Sequence, residues 1–345
     1  MSVERRGGLL GGLFGLIGAG LVVALLLLGV AGWFYLGPGP SAREGDSTVV
    51  VFKDGSSVAQ MGRELKDAGV IRSPRLFRLA AKLTGADRRL RAGEYQFQSG
   101  ASLASVVETL RSGKVVRHFV TVPEGRTVAQ AIRILQAEPV LVGEVTRVPP
   151  EGSILPETYE ITRGETRQAV IDRMRQAQED LLADLWPKRQ AGLPFDTQRE
   201  AVTLASIVEK ETGIARERPE VAAVFVNRLR QGMRLESDPT IIYGITKGEP
   251  LGRGIRASEI RAAHPWNTYV IDGMPPTPIA NPGRDAIAAV LNPPSTRYLF
   301  FVADGTGGHD FSVTYAEHSA KVARLRQLER QAAAAAPATT AAGLR

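Results

Sequence analysis

The chain has 345 residues, 43% of them hydrophobic and 23% charged, which is long enough for more than one domain and too apolar for general disorder. It contains no cysteine, which excludes disulfides, thiolate catalysis and cysteine zinc sites. Its net charge of +7 points to a polyanionic neighbour: membrane lipid, cell-wall polymer or nucleic acid.

Residues 1–8 form a short N-terminus in which Arg5 and Arg6 stand against Glu4, and the next charged residue is Arg43. Residues 9–36 between them are almost wholly apolar. A bilayer-spanning helix needs roughly 20 such residues. Trp33, Phe34 and Tyr35 close the run, as an interfacial aromatic belt does. The alternative is a cleaved secretory signal, but its apolar core usually runs only about 7–15 residues. The arginines precede the span, so the positive-inside rule predicts a single-pass anchor in the cytoplasmic (inner) membrane. The N-terminus is then cytoplasmic and the remainder extracytoplasmic, where no nucleic-acid partner is expected.

Three segments then share one pattern: DGSSVAQMGREL (54–65), SGASLASVVETL (99–110) and EGRTVAQAIRIL (124–135). Gly55, Gly100 and Gly125 are each followed two positions later by Ser57, Ser102 or Thr127, good helix N-caps. A β-rich run precedes each copy (STVVVFK, GEYQF, VRHFVTV), so each unit reads as strand, glycine turn and capped helix. The copies are unequally spaced, which argues against a solenoid and for a small α+β module over residues 47–140. Its pattern resembles the LysM module, which binds the glycan of peptidoglycan; the same residues also serve simply as caps. Within it Arg72, Arg75, Arg78 and Lys82 recur at helical spacing, as a solvated face or a lipid-headgroup contact.

The texture changes after residue 140, where a second region, 141–328, begins. EGSILPETYEI (151–161) precedes a long amphipathic helix that Pro187 ends. TQREAVTLASIVEKETG and ERPEVAAVFVNRLRQG read as two further helices, each closed by glycine. Residues 235–313 are rich in Gly, Pro and aromatics, as loops that build a site are. TYAEHSAKVARLRQLERQ is a last helix, and 332–345 is an Ala-rich tail expected to be disordered. The expected fold is therefore α+β: an N-terminal transmembrane helix, a small LysM-like α+β module, and a mixed α+β catalytic domain with a loop-built cleft.

LASIVEKETG (204–213) carries two glutamates, Glu209 and Glu211, in an otherwise apolar run. Residues two apart project about 200° apart around a helix, so the two do not face each other. They are not the carboxylate pair of a retaining glycosidase, which needs roughly 5 Å separation across the scissile bond. Desolvation against Val202 and Ala205 would keep a carboxyl protonated near neutrality, fit for a general acid. Glu211 has apolar neighbours too, so periodicity does not choose between them. His118, His264, His309 and His318 show no zincin spacing, Ser206 sits in no nucleophile elbow, and GTGGH (305–309) lacks the phosphate-loop lysine and reads as a hairpin turn.

The strings LASIVEKET, VFVNRLRQGMRLESDPTIIYG, WNTY, PIANPG and YLFFVADGTGGHDFS, in this order, closely resemble the endolytic murein transglycosylase, or YceG-like, family. The resemblance covers roughly residues 50–330. It implies a peptidoglycan lytic transglycosylase that cleaves MurNAc–GlcNAc bonds in nascent strands and leaves 1,6-anhydroMurNAc ends, limiting strand length. It implies Glu209 as the catalytic residue, with Asn227, Ser237, Asp238, Thr240, Tyr243, Asn267 and Tyr269 holding the sugars. EGSILPETYEI departs from the family segment, with Glu157 for an aspartate and Ile154 for an aromatic. Glycan strands, the membrane and peptidoglycan synthases are the implied partners; no metal or organic cofactor is implied. A muramidase-type hydrolase with Asp238 as second acid, and a non-catalytic glycan-binding scaffold, are the alternatives.

Overall fold

All three copies of the glycine–hydroxyl pattern fold as the spacing predicts. Gly55, Gly100 and Gly125 each turn the chain with a positive φ of 79°, 74° and 73°. Two residues on, the Ser57, Ser102 and Thr127 hydroxyls each accept an N–H of the first helical turn, from Gln60, Ser105 and Gln130. At Thr127 the Gln130 side chain accepts in return from the cap's own N–H, a complete capping box. The structure, a computed structural model, describes residues 7–335, with side chains from Ala19 to Gln331. The chain divides into two compact units, residues 1–118 and 119–345.

The first unit comprises α1 (Gly7–Leu36), β1 (Ser47–Phe52), α2 (Val58–Asp67), α3 (Pro74–Leu83), β2 (Gly93–Gln98) and α4 (Leu103–Ser112). β1 and β2 pair antiparallel with Val50 opposite Tyr95. Alternate residues of both strands point inward, and Phe52, Tyr95 and Phe97 meet Met61, Leu65, Phe77, Val106 and Leu110 from the helices. α1 is one uninterrupted helix across the expected span 9–36, but its first side chains lie outside the described residues. Among the described residues no helix is long and apolar enough to cross a membrane.

The second unit opens on β3 (His118–Thr121), whose first residue closes the first unit. α5 (Val128–Ala137), β4 (Thr158–Ile161), beside β3, and α6 (Arg167–Leu185) enclose a core of Val120, Leu135, Ile161 and Met174. The third copy of the repeat thus builds this core, whereas its spacing grouped it with the first two. α7 (Gln198–Glu211), α8 (Arg218–Arg230), α9 (Asp238–Thr246), α10 (Ala257–Ile260) and α11 (Arg284–Leu291) follow. The β5 (Phe300–Ala303) and β6 (His309–Ser312) hairpin and α12 (Tyr315–Ala335) complete the order.

The stretch 235–313 is more helical than its composition suggests. SDPTIIYG forms α9 because Pro239 occupies its first turn, where a missing N–H costs nothing. Gly213 does not close α7 in a left-handed cap; Thr212 ends it in an extended conformation, φ −138°. The GTGGH turn does join β5 to β6, with φ 83° at Gly305 and 100° at Gly307. α12 reaches Ala335, into the expected Ala-rich tail, and residues 336–345 lie outside the described ones.

Candidate active site

α7 begins at a capping box in which Thr197 and Glu200 satisfy each other's backbone N–H. From Ala201 to Val208 every residue is buried, because α8 and α11 pack on both sides. Ser206 is a structural part of that core: its Oγ donates to the Thr203 carbonyl at 2.7 Å and accepts the Ile279 N–H at 3.0 Å. Only the last turn emerges, and it sends Glu209 and Glu211 to separate sets of partners, as their angular separation predicts.

Glu209 enters a cluster of charges. Its Oε1 lies 3.3 Å from Arg218 Nη2, which is also 2.9 Å from Glu124 Oε2, while Arg218 Nη1 is 3.6 Å from Asp285. Its Oε2 accepts the Gly283 N–H at 3.1 Å. Burial pushes the carboxyl pKa up; the Gly283 N–H and the Arg218 guanidinium pull it down. Three carboxylates thus share one guanidinium, and the Glu209 side chain is only 5% exposed. Glu124 lies so close to Gly283 that a Cβ there would stand 1.7 Å from its Oε1, which explains a glycine in ANPG. The fully buried Asn281 clips this turn to the rest: Nδ2 donates to the Arg126 carbonyl at 2.9 Å and to Glu151 at 3.2 Å, and Oδ1 accepts from Ile154.

Glu211 enters a network of hydroxyls. Ser237 Oγ donates to its Oε1 at 2.5 Å. Ser237 is held in turn by Thr268 Oγ1, which accepts the Ser237 N–H at 2.9 Å, and by Thr240, whose hydroxyl donates to the Ser237 carbonyl at 2.6 Å. Tyr269 donates to Asp238 Oδ1 at 2.8 Å on the same turn. Glu211 keeps part of its surface, but its carboxyl end is packed closely enough that desolvation pushes its pKa up to about 7. The Ser237 hydrogen bond opposes this rise, the Asp238 charge adds to it, and His309 and Arg228 lower it. His309 is oriented by Glu217, 2.9 Å from its Nδ1.

Beside α7 an open cleft of about 330 Å³ is lined by Gly125, Arg126, Lys210, Pro239, Tyr243 and Gly248 among others. Gly125 brings the cleft against Glu209: a Cβ there would lie 3.4 Å from Lys210 Cδ and 3.6 Å from Glu209 Cγ. The Tyr243 ring packs 5.8 Å from Trp266, and its hydroxyl lies 3.4 Å from Glu151, whose pKa burial raises.

Of the residues singled out in the sequence, Ser237, Asp238, Thr240 and Tyr269 gather around Glu211, not Glu209, and Tyr243 lines the cleft. Asn227 donates both Nδ2 hydrogens to the Thr296 and Tyr298 carbonyls, each at 3.0 Å, and so holds the approach to β5. Asn267 donates to the Glu259, Ile260 and Ala262 carbonyls at the end of α10. Both amides therefore stand in scaffold positions. Glu124, Glu151, Arg218, Thr268 and His309 were not foreseen. Glu124 and Glu151 were visible only as acids each preceding a glycine, and His309 as part of a turn.

The YceG-like family model matches residues 50–324. The endolytic murein transglycosylase of Bacillus subtilis strain 168 is 27% identical over 312 residues, covering 81% of this chain and 85% of that protein. The one of Streptococcus pneumoniae serotype 2 is 29% identical over 303 residues, but the chain spans only 54% of its length. A crystal structure of a YceG-like protein from Listeria monocytogenes superposes with a TM-score of 0.50 at 26% identity, covering 80% of this chain and 98% of that one. With a family model matched across most of its length, the chain belongs to the YceG-like family.

Proposed function

We propose that the chain is an endolytic murein lytic transglycosylase whose acid is Glu209. The observation that carries this reading is the Glu209 carboxyl, its pKa raised by burial at the end of a buried helix, with its Cγ 3.6 Å from where a Cβ on the cleft residue Gly125 would stand. A carboxyl with a raised pKa holds a proton to donate and then takes one back. It gives its proton to the departing glycosidic oxygen as the bond to muramic C1 breaks. It then takes the proton of the sugar's own C6 hydroxyl as that oxygen bonds to C1 and closes the anhydro ring. No water is consumed and no second carboxylate is required, because the nucleophile is intramolecular.

The resemblance in LASIVEKET supports Glu209. Burial raises its pKa, and the Arg218 guanidinium 3.3 Å away steadies the carboxylate between the two transfers. Glu211, whose pKa desolvation pushes up to about 7 and whose carboxyl accepts from Ser237, is the second reading. Tyr243 lines the cleft, and Arg126 and Lys210 beside it offer cations to the carboxylates of peptidoglycan. Asp238 remains the second acid of the hydrolase reading; its engagement with Tyr269 supports a positioning role instead.

The same reading takes residues 9–36 as a single-pass anchor in the cytoplasmic membrane, with the second unit acting on nascent strands outside it. The long apolar run and the exposed Leu21 to Leu28 of α1 support the anchor. Glycan binding by the LysM-like pattern and action beside peptidoglycan synthases rest on the resemblance alone.

Mass spectrometry of the fragments released from intact peptidoglycan tests the reaction. Anhydro-muramyl ends are expected. Ordinary reducing ends would make the protein a hydrolase, and binding without cleavage would make it a scaffold.

A further inference from the structure

α3 has three faces where a helix on a soluble domain needs two. Phe77, Ala80 and Ala81 enter the core of the first unit. Arg75, Arg78 and Lys82 form an exposed basic face, preceded by exposed Arg72. Between these faces Leu76, Leu79 and Leu83 make an apolar stripe that is 37%, 54% and 77% exposed. A single exposed leucine needs no explanation, whereas a continuous apolar patch marks a contact surface.

The stripe is continuous with α1. Leu76, Leu79 and Leu83 share an apolar groove of about 280 Å³ with Ala31, Phe34 and Tyr35. α1 also carries exposed Trp33, and its preceding turns expose Leu25 to Leu28. The charge is also one-signed: from Arg72 to Arg91 seven basic residues stand against a single acid, Asp87. Just beyond α3, Arg88, Arg89, Arg91 and Arg111 line a second cleft, of about 490 Å³. An apolar stripe flanked by arginines, next to the end of a long apolar helix, is the pattern of a helix lying in a membrane interface. The positive face then meets lipid phosphates while long basic side chains reach outward from the apolar layer.

We propose that α3 is an interfacial helix that binds anionic phospholipid, with Leu76, Leu79 and Leu83 in the acyl boundary and Arg72, Arg75, Arg78 and Lys82 on headgroup phosphates. This rests on the reading of α1 as a membrane anchor and adds to it a second, charge-dependent contact. Its consequence is that the first unit is held flat on the bilayer instead of swinging on the segment after α1.

The chain has no cysteine, so single labels are clean. The full-length protein is reconstituted in nanodiscs with a fluorophore at Leu79→Cys or, separately, at Leu26→Cys. Iodide in the water and nitroxide on the lipid serve as quenchers. In discs containing phosphatidylglycerol the Leu79 label is expected to lose iodide quenching and gain nitroxide quenching. Both changes should be lost in phosphatidylcholine discs, in molar salt, and in the Arg75→Gln/Arg78→Gln/Lys82→Gln variant. A Leu79 label open to iodide while the Leu26 label is in lipid overturns the proposal and leaves the anchor standing. A Leu26 label in water overturns the anchor and this proposal with it. Equal immersion in both lipids overturns the anionic-headgroup assignment. Shielding from iodide without nitroxide quenching overturns the lipid occupant in favour of a second copy of the chain.

Discussion

At the scale of single residues, the balance at Glu209 sets the pH response. Burial lifts its pKa, and the Gly283 N–H and the Arg218 guanidinium pull it back. The protonated form begins the reaction, so kcat/KM should fall as pH rises through that raised pKa, where the acid is lost. Arg218→Gln removes a charge that favours the carboxylate, so the folded pKa rises. The descending limb of the pH–rate profile should then move to higher pH, while kcat at neutral pH drops by roughly 10-fold, at the low end of general acid–base effects. A profile that keeps its shape and only falls in height would mean that Arg218 serves packing and not the acid.

At the scale of elements, two glycines with nearly the same φ should behave differently when replaced by alanine. Gly55 and Gly152 both have φ 79°, but a Cβ at Gly55 meets nothing within 4 Å. At Gly152 it would stand 2.6 Å from Pro278 and 3.0 Å from Val202. Gly55→Ala should cost about 1–2 kcal/mol of backbone strain alone, whereas Gly152→Ala adds overpacking of about 1–3 kcal/mol more. Denaturant melts of the two variants read the difference directly.

The same contrast divides what could be read from the sequence. Caps, glycine turns and the end of α6 were legible because their causes lie within a few residues: Ser57, Ser102, Thr127 and Pro187 each act on their own turn. The opposition of Glu209 and Glu211 was legible for the same reason, being set by helical geometry. The partners were not. Arg218, Glu124 and the Gly283–Asp285 turn come to Glu209 from three separate segments, and no spacing rule brings them together. Asn227 and Asn267 carried the right chemistry for sugar binding, but nearby carbonyls absorb their donors, which only the folded chain reveals.

At the scale of the molecule, each unit owns a hydrophobic core. The first is built around Phe52, Phe77 and Tyr95, and the second around α7, α8 and α11 with its own satellite at β3, α5 and α6. Calorimetry should therefore resolve two unfolding transitions. Phe77→Ala empties a fully buried site in the first core and should lower one transition by about 3–5 kcal/mol while the other stays in place. Movement of both together would show that the two cores unfold as one.

The central claim is that a single carboxyl, Glu209, performs both proton transfers. The most direct measurement compares Glu209→Gln and Glu211→Gln with wild type on intact peptidoglycan, counting anhydro-muramyl ends by mass spectrometry and checking each fold by thermal melting. Glu209→Gln is predicted to abolish the anhydro product, a loss on the order of 10²–10⁴-fold or more, with its melting preserved. Glu211→Gln is predicted to keep the product, at a reduced level set by its disturbed Ser237 network. An active Glu209→Gln protein, or a folded Glu211→Gln protein that is wholly inactive, would contradict the assignment and move the acid to Glu211.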